Sequence, residues 1–274
     1  MLTMLTKSLR YATMFEELEQ RAEIAWIPFI MLGYPDMESS ITFIETFIEN
    51  GADALEIGIP FSDPVADGIL IQETARVALE NGSTVKKCMQ ALTQIRARHP
   101  KIPFGLLTYA NLVFHPGLDT FYSNCQQAGV DSILIADVPL KESKAFIESA
   151  DRNAVDAIFI APPNATKETL ISLSEQSGSY TYVVSRAGVT GDNQSVEYPE
   201  AIVKSLLENN APAPVLGFGI SKPEHVTKAV SFGFKGVISG SAITRLILNN
   251  DENLLQQLKA FSLQMKQATS YQSL

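Results

Sequence analysis

Two patterns of apolar positions alternate along this chain. Short runs rich in Ile, Leu, Val and Phe are separated by longer segments whose apolar residues recur every three or four positions. The first pattern reads as strand and the second as amphipathic helix. On that reading strands fall near 26–32, 54–59, 103–107, 132–136, 155–160, 180–184, 213–217 and 235–239. Helical patterns separate them, among them 84–98, 118–128, 141–152, 166–177, 200–209 and 223–230. Asp36 is placed to cap a helix bearing Ile41, Ile44, Phe47 and Ile48 on one face. A further helix precedes the first strand, from about Ser8 to Ala22, with Phe15, Leu18 and Ala22 at helical spacing. A last one, starting at Asn250-Asp251-Glu252, carries Leu254, Leu255, Leu258, Phe261 and Met265, and Ala268–Leu274 reads as a frayed tail.

A local signature recurs at the joints. Gly51-Ala-Asp-Ala-Leu-Glu-Ile resembles Gly129-Val-Asp-Ser-Ile-Leu-Ile, with Gly233-Phe-Lys-Gly-Val-Ile a looser copy. Asn153-Ala-Val-Asp-Ala-Ile-Phe-Ile repeats it with Asn in the glycine position. Each begins where a helix stops in a left-handed conformation and a strand follows. Eight strands alternating with helices predict a closed (β/α)8 TIM barrel, with an extra N-terminal helix and a short helix after the eighth strand. A doubly wound open sheet is the competitor, but it favours a glycine-rich loop after the first strand, and here the glycines gather late. Residues 1–274 read as a single barrel domain, since α/β barrels run to about 250 residues as one unit.

Composition narrows the function. With 46% hydrophobic and 19% charged residues the chain is an ordinary globular one. Its formal net charge of −9 argues against a nucleic-acid footprint. No apolar run approaches the roughly 18 residues of a membrane span, and the N-terminus lacks a signal-peptide core. Cys88 and Cys125, in helical segments without metal-ligand spacing, read as reduced thiols of a cytoplasmic protein. No motif suggests a metal or nucleotide site, and His99, His115 and His225 read as solvent-facing or capping residues.

The candidate chemistry begins in the second strand. Leu55, Ile57 and Ile59 face one way, while Ala54, Glu56 and Gly58 face the other. A carboxylate is thereby set among small residues opposite an aliphatic wall, a costly place without a task or partner. Pro60 ends the strand, and the following loop returns a second carboxylate, Asp67. Taken alone, Asp67 is better read as a cap for the helix beginning near Ile69. Taken with Glu56 it completes a pair suited to proton transfer.

Two late strands end in glycine-bearing turns, Gly217-Phe218-Gly219-Ile220-Ser221 and Ser239-Gly240-Ser241-Ala242. Loops after the seventh and eighth strands of barrels often bind phosphate through backbone N–H groups and a helix start. Ser241 would open such a helix over 242–248. Ordinary tight turns explain either glycine pair alone, and both together favour a phosphate site. The loop Arg186–Ser195 reads either as a lid or as an exposed loop, with Thr190 within reach of Asp67 across the mouth.

These motifs together resemble the tryptophan synthase alpha-subunit family over nearly the whole chain. The resemblance is carried by Gly33-Tyr34-Pro35-Asp36, the stretch from Leu55 to Gly68 with its Pro-Phe-Ser-Asp-Pro-Val-Ala-Asp-Gly segment, and Tyr109-Ala110-Asn111. It continues in Ala136-Asp137-Val138-Pro139, Pro162-Pro163-Asn164, Ser185-Arg186-Ala187-Gly188-Val189-Thr190-Gly191 and the two late glycine turns. It implies retro-aldol cleavage of indole-3-glycerol phosphate to indole and glyceraldehyde 3-phosphate. By the same resemblance, Glu56 transfers protons, Asp67 accepts the indole N–H, and Tyr182 orients Glu56 or the substrate. Phe29, Leu107, Leu134, Ile160 and Phe218 would wall an indole pocket or simply fill the core. Gly191, Gly219, Gly240 and Ser241 would hold the phosphate, and Thr190 would contact the substrate end of the site beside Asp67.

The resemblance further implies a beta-subunit partner in an alpha2-beta2 assembly. That partner carries pyridoxal phosphate, and this chain carries no cofactor of its own. The loops near Ser62–Val65, Asn111–Leu118 and Pro139 would meet the partner. Two positions depart from the family pattern. Met31 stands where a smaller hydroxyl residue is common, and Ile69 where Pro is common. The alternatives are another enzyme on a phosphate-binding barrel, a non-enzymatic activator subunit, and a lyase acting without a partner.

Overall fold

The computed structural model describes residues 8–184, 198–249 and 252–271. Its strands are β1 Ala25–Met31, β2 Leu55–Gly58, β3 Phe104–Thr108, β4 Ser132–Ile135, β5 Asp156–Ala161, β6 Tyr180–Val183, β7 Ala213–Leu216 and β8 Gly236–Ser239. Each pairs in parallel with the next, and β8 pairs with β1 through the register Ala25↔Gly236, closing the barrel. The helices are α1 Leu9–Gln20, α2 Met37–Glu49, α3 Ile69–Glu80, α4 Val85–Arg98, α5 Ala110–Phe114 and α6 Leu118–Gln127. They continue with α7 Lys144–Arg152, α8 Lys167–Gln176, α9 Glu200–Glu208, α10 Pro223–Ser231, α11 Ser241–Asn249 and α12 Leu254–Gln267. The (β/α)8 barrel, its extra N-terminal helix and the helix after the last strand are as the periodicity predicts.

Trp26 shows how β1 serves both sides of the wall. Its ring meets Phe47 of α2 and Phe261 of α12 edge-on, at 5.7 and 6.2 Å, and its indole N–H donates to Ser239 Oγ of β8 at 3.2 Å. Alternation then turns Phe29 and Met31 inward, where both approach Gly58 of β2. At the N-terminal end α1 plugs the barrel. Its Tyr11 is buried, lies 5.5 Å from the Tyr180 ring and shares a hydrogen bond with Ser132. The buried face of α1 is Tyr11, Met14 and Leu18, and Ala22 lies beyond the helix with φ 53°.

The joints follow the glycine signature closely, with Gly51, Gly129 and Gly233 at φ 107°, 80° and 82°. The fourth copy is displaced by one residue. Asn153 stays near the helical region at φ −105° and caps α7, its side chain donating to Ser149 O, while Ala154 takes φ 52°. The Asp156 that follows aligns with Asp53 and Asp131, so Ala154 is the true counterpart of the glycines.

Three further expectations change. The stretch after Tyr109 is not all loop, because Ala110–Phe114 forms α5. A 3-10 turn at Leu140–Glu142 precedes α7, which starts later than the pattern suggests. The tail is anchored over 268–271, where Thr269 O accepts from Ile24 N and Tyr271 N donates to Ala22 O, tying it to the entry of β1. Cys88 and Cys125 are free and buried in α4 and α6, and burial raises the Cys88 thiol to about 12. Among the described residues no helix is long and apolar enough to cross a membrane.

Candidate active site

Glu56 occupies the centre of β2, with Leu55 and Ile57 buried on either side of it in sequence. Its register partners are Phe29 on β1 and Gly105 on β3. The side chain is 2% exposed, and its Oε1 has no hydrogen-bond partner among the described residues. An unsatisfied buried carboxyl is expensive as an anion, so it keeps its proton. Burial first, and the Asp67 charge second, push the Glu56 carboxyl up to about 8. At neutral pH it is a carboxylic acid.

Asp67 is 5% exposed and does not cap the following helix. The N-cap of α3 is Gly68, which has no side-chain oxygen to offer. The capping reading of Asp67 is therefore corrected. Its Oδ2 accepts instead from the Tyr109 hydroxyl at 2.8 Å, and that hydroxyl in turn accepts from Ala66 N at 3.3 Å. Tyr109 ends the third strand's loop connection and stacks on Phe61 at 5.3 Å, so two loops lock together over the carboxylate. Burial raises Asp67 to about 6, while the Tyr109 hydrogen bond opposes the rise. Asp67 is thus charged at the pH where Glu56 is neutral, a division of roles set by environment. Tyr109 was given no role by residue pattern alone, although its position just past a strand end is the available signal.

Tyr182 on β6 is buried, and desolvation, then Glu56, then Asp67 hold its hydroxyl well above the usual tyrosine range. That hydroxyl donates to Gly217 O at 3.3 Å. A Cβ at Gly217 would fall 2.0 Å from the Tyr182 ring, so only glycine admits the tyrosine here. The ring meets Phe218 edge-on at 6.5 Å. Phe29 and Leu134 are buried, whereas Leu107, Ile160 and Phe218 are half-buried toward the open end. Phe29 lines up with Gly58 and Gly240, 2.7 and 3.4 Å from where their Cβ atoms would stand. Met31 joins it there, 3.1 Å from the same point at Gly58.

Of the late turns, Gly219 adopts φ 82° after β7, and Gly240 separates β8 from Ser241, the first residue of α11. Thr190 and Gly191, with the rest of the Arg186–Ser195 loop, lie outside the described residues. Among the described residues no group of His, Cys, Asp and Glu side chains is arranged to hold a metal ion.

An acid and an anion facing one open end equip this molecule for proton transfer, which places it among the (β/α)8-barrel enzymes. The family model described as tryptophan synthase alpha chain matches residues 15–270. The tryptophan synthase alpha chain of Francisella tularensis is 52% identical over 264 residues, covering 95% of this chain and 98% of that relative. Among solved structures, the tryptophan synthase subunit alpha of Legionella pneumophila superposes with a TM-score of 0.87 at 26% identity, over 95% of this chain and 98% of that one. A chain of the tryptophan synthase complex from Pyrococcus furiosus gives 0.79 at 30% identity, over 89% and 98%. This chain belongs to the tryptophan synthase alpha chain family.

Proposed function

We propose that the chain cleaves indole-3-glycerol phosphate by a retro-aldol reaction in tryptophan biosynthesis, with Glu56 as the group that moves protons. The observation that carries this is Glu56 itself, a buried carboxyl with an oxygen unpartnered among the described residues, whose pKa is raised by burial and by the nearby Asp67. The neutral acid gives its proton to indole C3, which becomes tetrahedral and leaves positive charge on the ring nitrogen. Asp67, itself buried, accepts the ring N–H and stabilises that charge. The Glu56 carboxylate then takes the proton from the adjacent side-chain hydroxyl. The C–C bond breaks, its electron pair returns to the indole ring, and the hydroxyl carbon becomes the aldehyde of glyceraldehyde 3-phosphate. Glu56 ends the cycle protonated, as it began.

Tyr182 sits between the acid and the Gly217 turn and orients the substrate between them. Phe29, Leu107, Leu134, Ile160 and Phe218 form the indole wall. Gly219, Gly240 and Ser241 take the phosphate with their backbone N–H groups, Gly191 joins them, and Thr190 bonds Asp67. None of this calls for a cofactor in the chain. Pyridoxal phosphate belongs to a beta-subunit partner, met in an alpha2-beta2 assembly through the loops around the open end. Val65, Ile69 and Phe114 supply exposed apolar surface for that contact, at 72, 82 and 55% exposure. The whole chain acts as one barrel domain in the cytoplasm.

Indole release from indole-3-glycerol phosphate, assayed with and without a beta subunit, tests the reaction. We expect release in both assays and faster release with the partner. No release in either assay would overturn the reading. Replacing Gly240 with Leu tests the phosphate site. The space at its Cβ is open to ordinary contact with Phe29 at 3.4 Å, so the substitution should obstruct the anion's approach while the fold survives. Unchanged substrate affinity in the folded variant would place the phosphate elsewhere.

A further inference from the structure

The turn after β7 is held by a side chain to which residue pattern assigned only a capping or solvent-facing role. Nδ1 of His225 lies 3.3 Å from the Ser221 N–H, 3.1 Å from the Gly219 carbonyl oxygen and 3.5 Å from Ser221 Oγ. His225 is the third residue of α10, whose N-cap, Lys222, makes no side-chain cap bond. A third-position side chain is well placed to fold back over a helix start, as Glu or Gln does in a capping box. Here the imidazole reaches past the cap to Ser221 and so braces the turn rather than the helix alone. The residue is fixed from its other side too, since His225 O accepts from the Tyr198 hydroxyl at 3.1 Å.

The ring's charge state suits this work. Desolvation lowers its pKa below the usual histidine value, opposed by the Gly219 carbonyl, with Lys222 and Lys228 lowering it and Glu224 raising it. A neutral imidazole carries one proton: on Nδ1 it is donated to the Gly219 carbonyl oxygen, the shorter contact, and on Nε2 it leaves Nδ1 to accept from the Ser221 N–H, so the ring bonds the turn in either tautomer. Gly219, at φ 82°, is the flexible member of the same turn, and a glycine without an anchor samples many conformations.

We propose that His225 is a positioning residue that holds the Gly219–Ser221 turn in the conformation presenting the Gly219 backbone N–H to the substrate phosphate. This rests on the reading above that the turn takes the phosphate. Proton transfer takes place at Glu56 on β2, across the barrel, and does not involve His225. Loss of the brace therefore weakens substrate binding and leaves the chemical step intact, because a disordered turn must be ordered again at each binding event.

The test uses the chain in complex with its beta subunit and follows steady-state cleavage of indole-3-glycerol phosphate. His225→Leu removes the ring nitrogen that bonds the turn, and we expect KM to rise about tenfold, the loss of one hydrogen bond and of the order it imposes, with kcat within about twofold. His225→Gln keeps both a donor and an acceptor at similar reach and should restore KM. Inorganic phosphate, as a competitive inhibitor, should weaken in parallel in the Leu variant only. If His225→Leu folds poorly, His225→Ala makes the same removal with less bulk. An unchanged KM, a fall confined to kcat, or failure of Gln to rescue would each overturn the proposal. Gly240→Leu separates the two readings. If it too leaves KM unchanged, the phosphate assignment fails. If it raises KM while His225→Leu does not, only the role of His225 is lost.

Discussion

Two buried carboxylates, Asp131 just before β4 and Glu56 within β2, are treated in opposite ways. At the N-terminal end Asp131 is 4% exposed and fully engaged. It accepts from Arg96 at 2.8 Å, Arg10 at 2.9 Å, Ser8 Oγ at 2.9 Å and the Phe104 N–H at 2.8 Å. Arg96, stacked 3.8 Å above the Phe104 ring, also donates to Gly129 O, so the cluster ties α4 to β3 and to the start of β4. Within β2 Glu56 is 2% exposed, keeps an oxygen without a partner among the described residues and feels the like charge of Asp67. Burial is the same in both cases. What differs is the set of partners, and that separates a carboxylate that holds a fold from one held ready for a reaction.

The comparison can be broken at either end. The largest effect is expected from Glu56→Gln, which keeps the volume and removes the exchangeable proton. A positioned acid contributes 10²- to 10⁴-fold, so roughly 3–5 kcal/mol of transition-state stabilisation should vanish from single-turnover cleavage. The same substitution should stabilise the fold in alkali. A carboxyl whose folded pKa is raised from 4.5 to about 8 carries stability that is complete below 4.5 and lost as pH climbs through 8. Gln has no such loss. Denaturant unfolding should show the variant gaining on the order of 2–4 kcal/mol over the parent at pH 9 and nothing at pH 4.

Asp131→Asn should do the reverse. Leaving Arg96 buried without its counter-charge should cost about 3 kcal/mol in urea unfolding, while kcat of the folded enzyme stays unchanged. Tyr109→Phe probes the point where the two treatments meet, because it removes the hydroxyl that donates to Asp67. The Tyr109 bond lowers the Asp67 pKa, so its loss should raise that pKa further from about 6. The acidic limb of the pH–rate profile then moves upward, and cleavage at pH 7 falls about two- to threefold. The smallest effect is expected at the displaced joint. Ala154→Gly relieves a left-handed alanine at φ 52° and costs some chain entropy, for a net gain of about 0.5 kcal/mol by thermal unfolding, with activity untouched.

The barrel was legible because strand alternation and helical periodicity are local signals, and the glycine joints mark where they exchange. Glu56 was legible for the same reason, since alternation alone fixes the side of β2 on which it lies. Asp67 was readable only as one of two things, because its deciding partner, Tyr109, comes 42 residues later and is brought near by the packing of adjacent loops. The same holds for Gly217, whose need to be glycine comes from the Tyr182 ring on the neighbouring strand. Ala154 escaped because pattern favours Asn for the left-handed position, whereas here Asn153 is occupied in capping α7. The tail looked frayed because its anchors are backbone bonds to Ala22 and Ile24, which leave no mark in side-chain polarity.

The central claim is that Glu56 waits in the empty enzyme as a neutral acid beside an ionised Asp67. Carbon-13 NMR of protein labelled at the glutamate side-chain carboxyls reads this directly, with the Glu56 resonance assigned by its absence from Glu56→Gln. We predict one glutamate that titrates near pH 8, and a lower midpoint for it in Asp67→Asn, where the neighbouring charge is gone. A Glu56 resonance that titrates near 4.5, as an ordinary exposed glutamate does, would contradict the account.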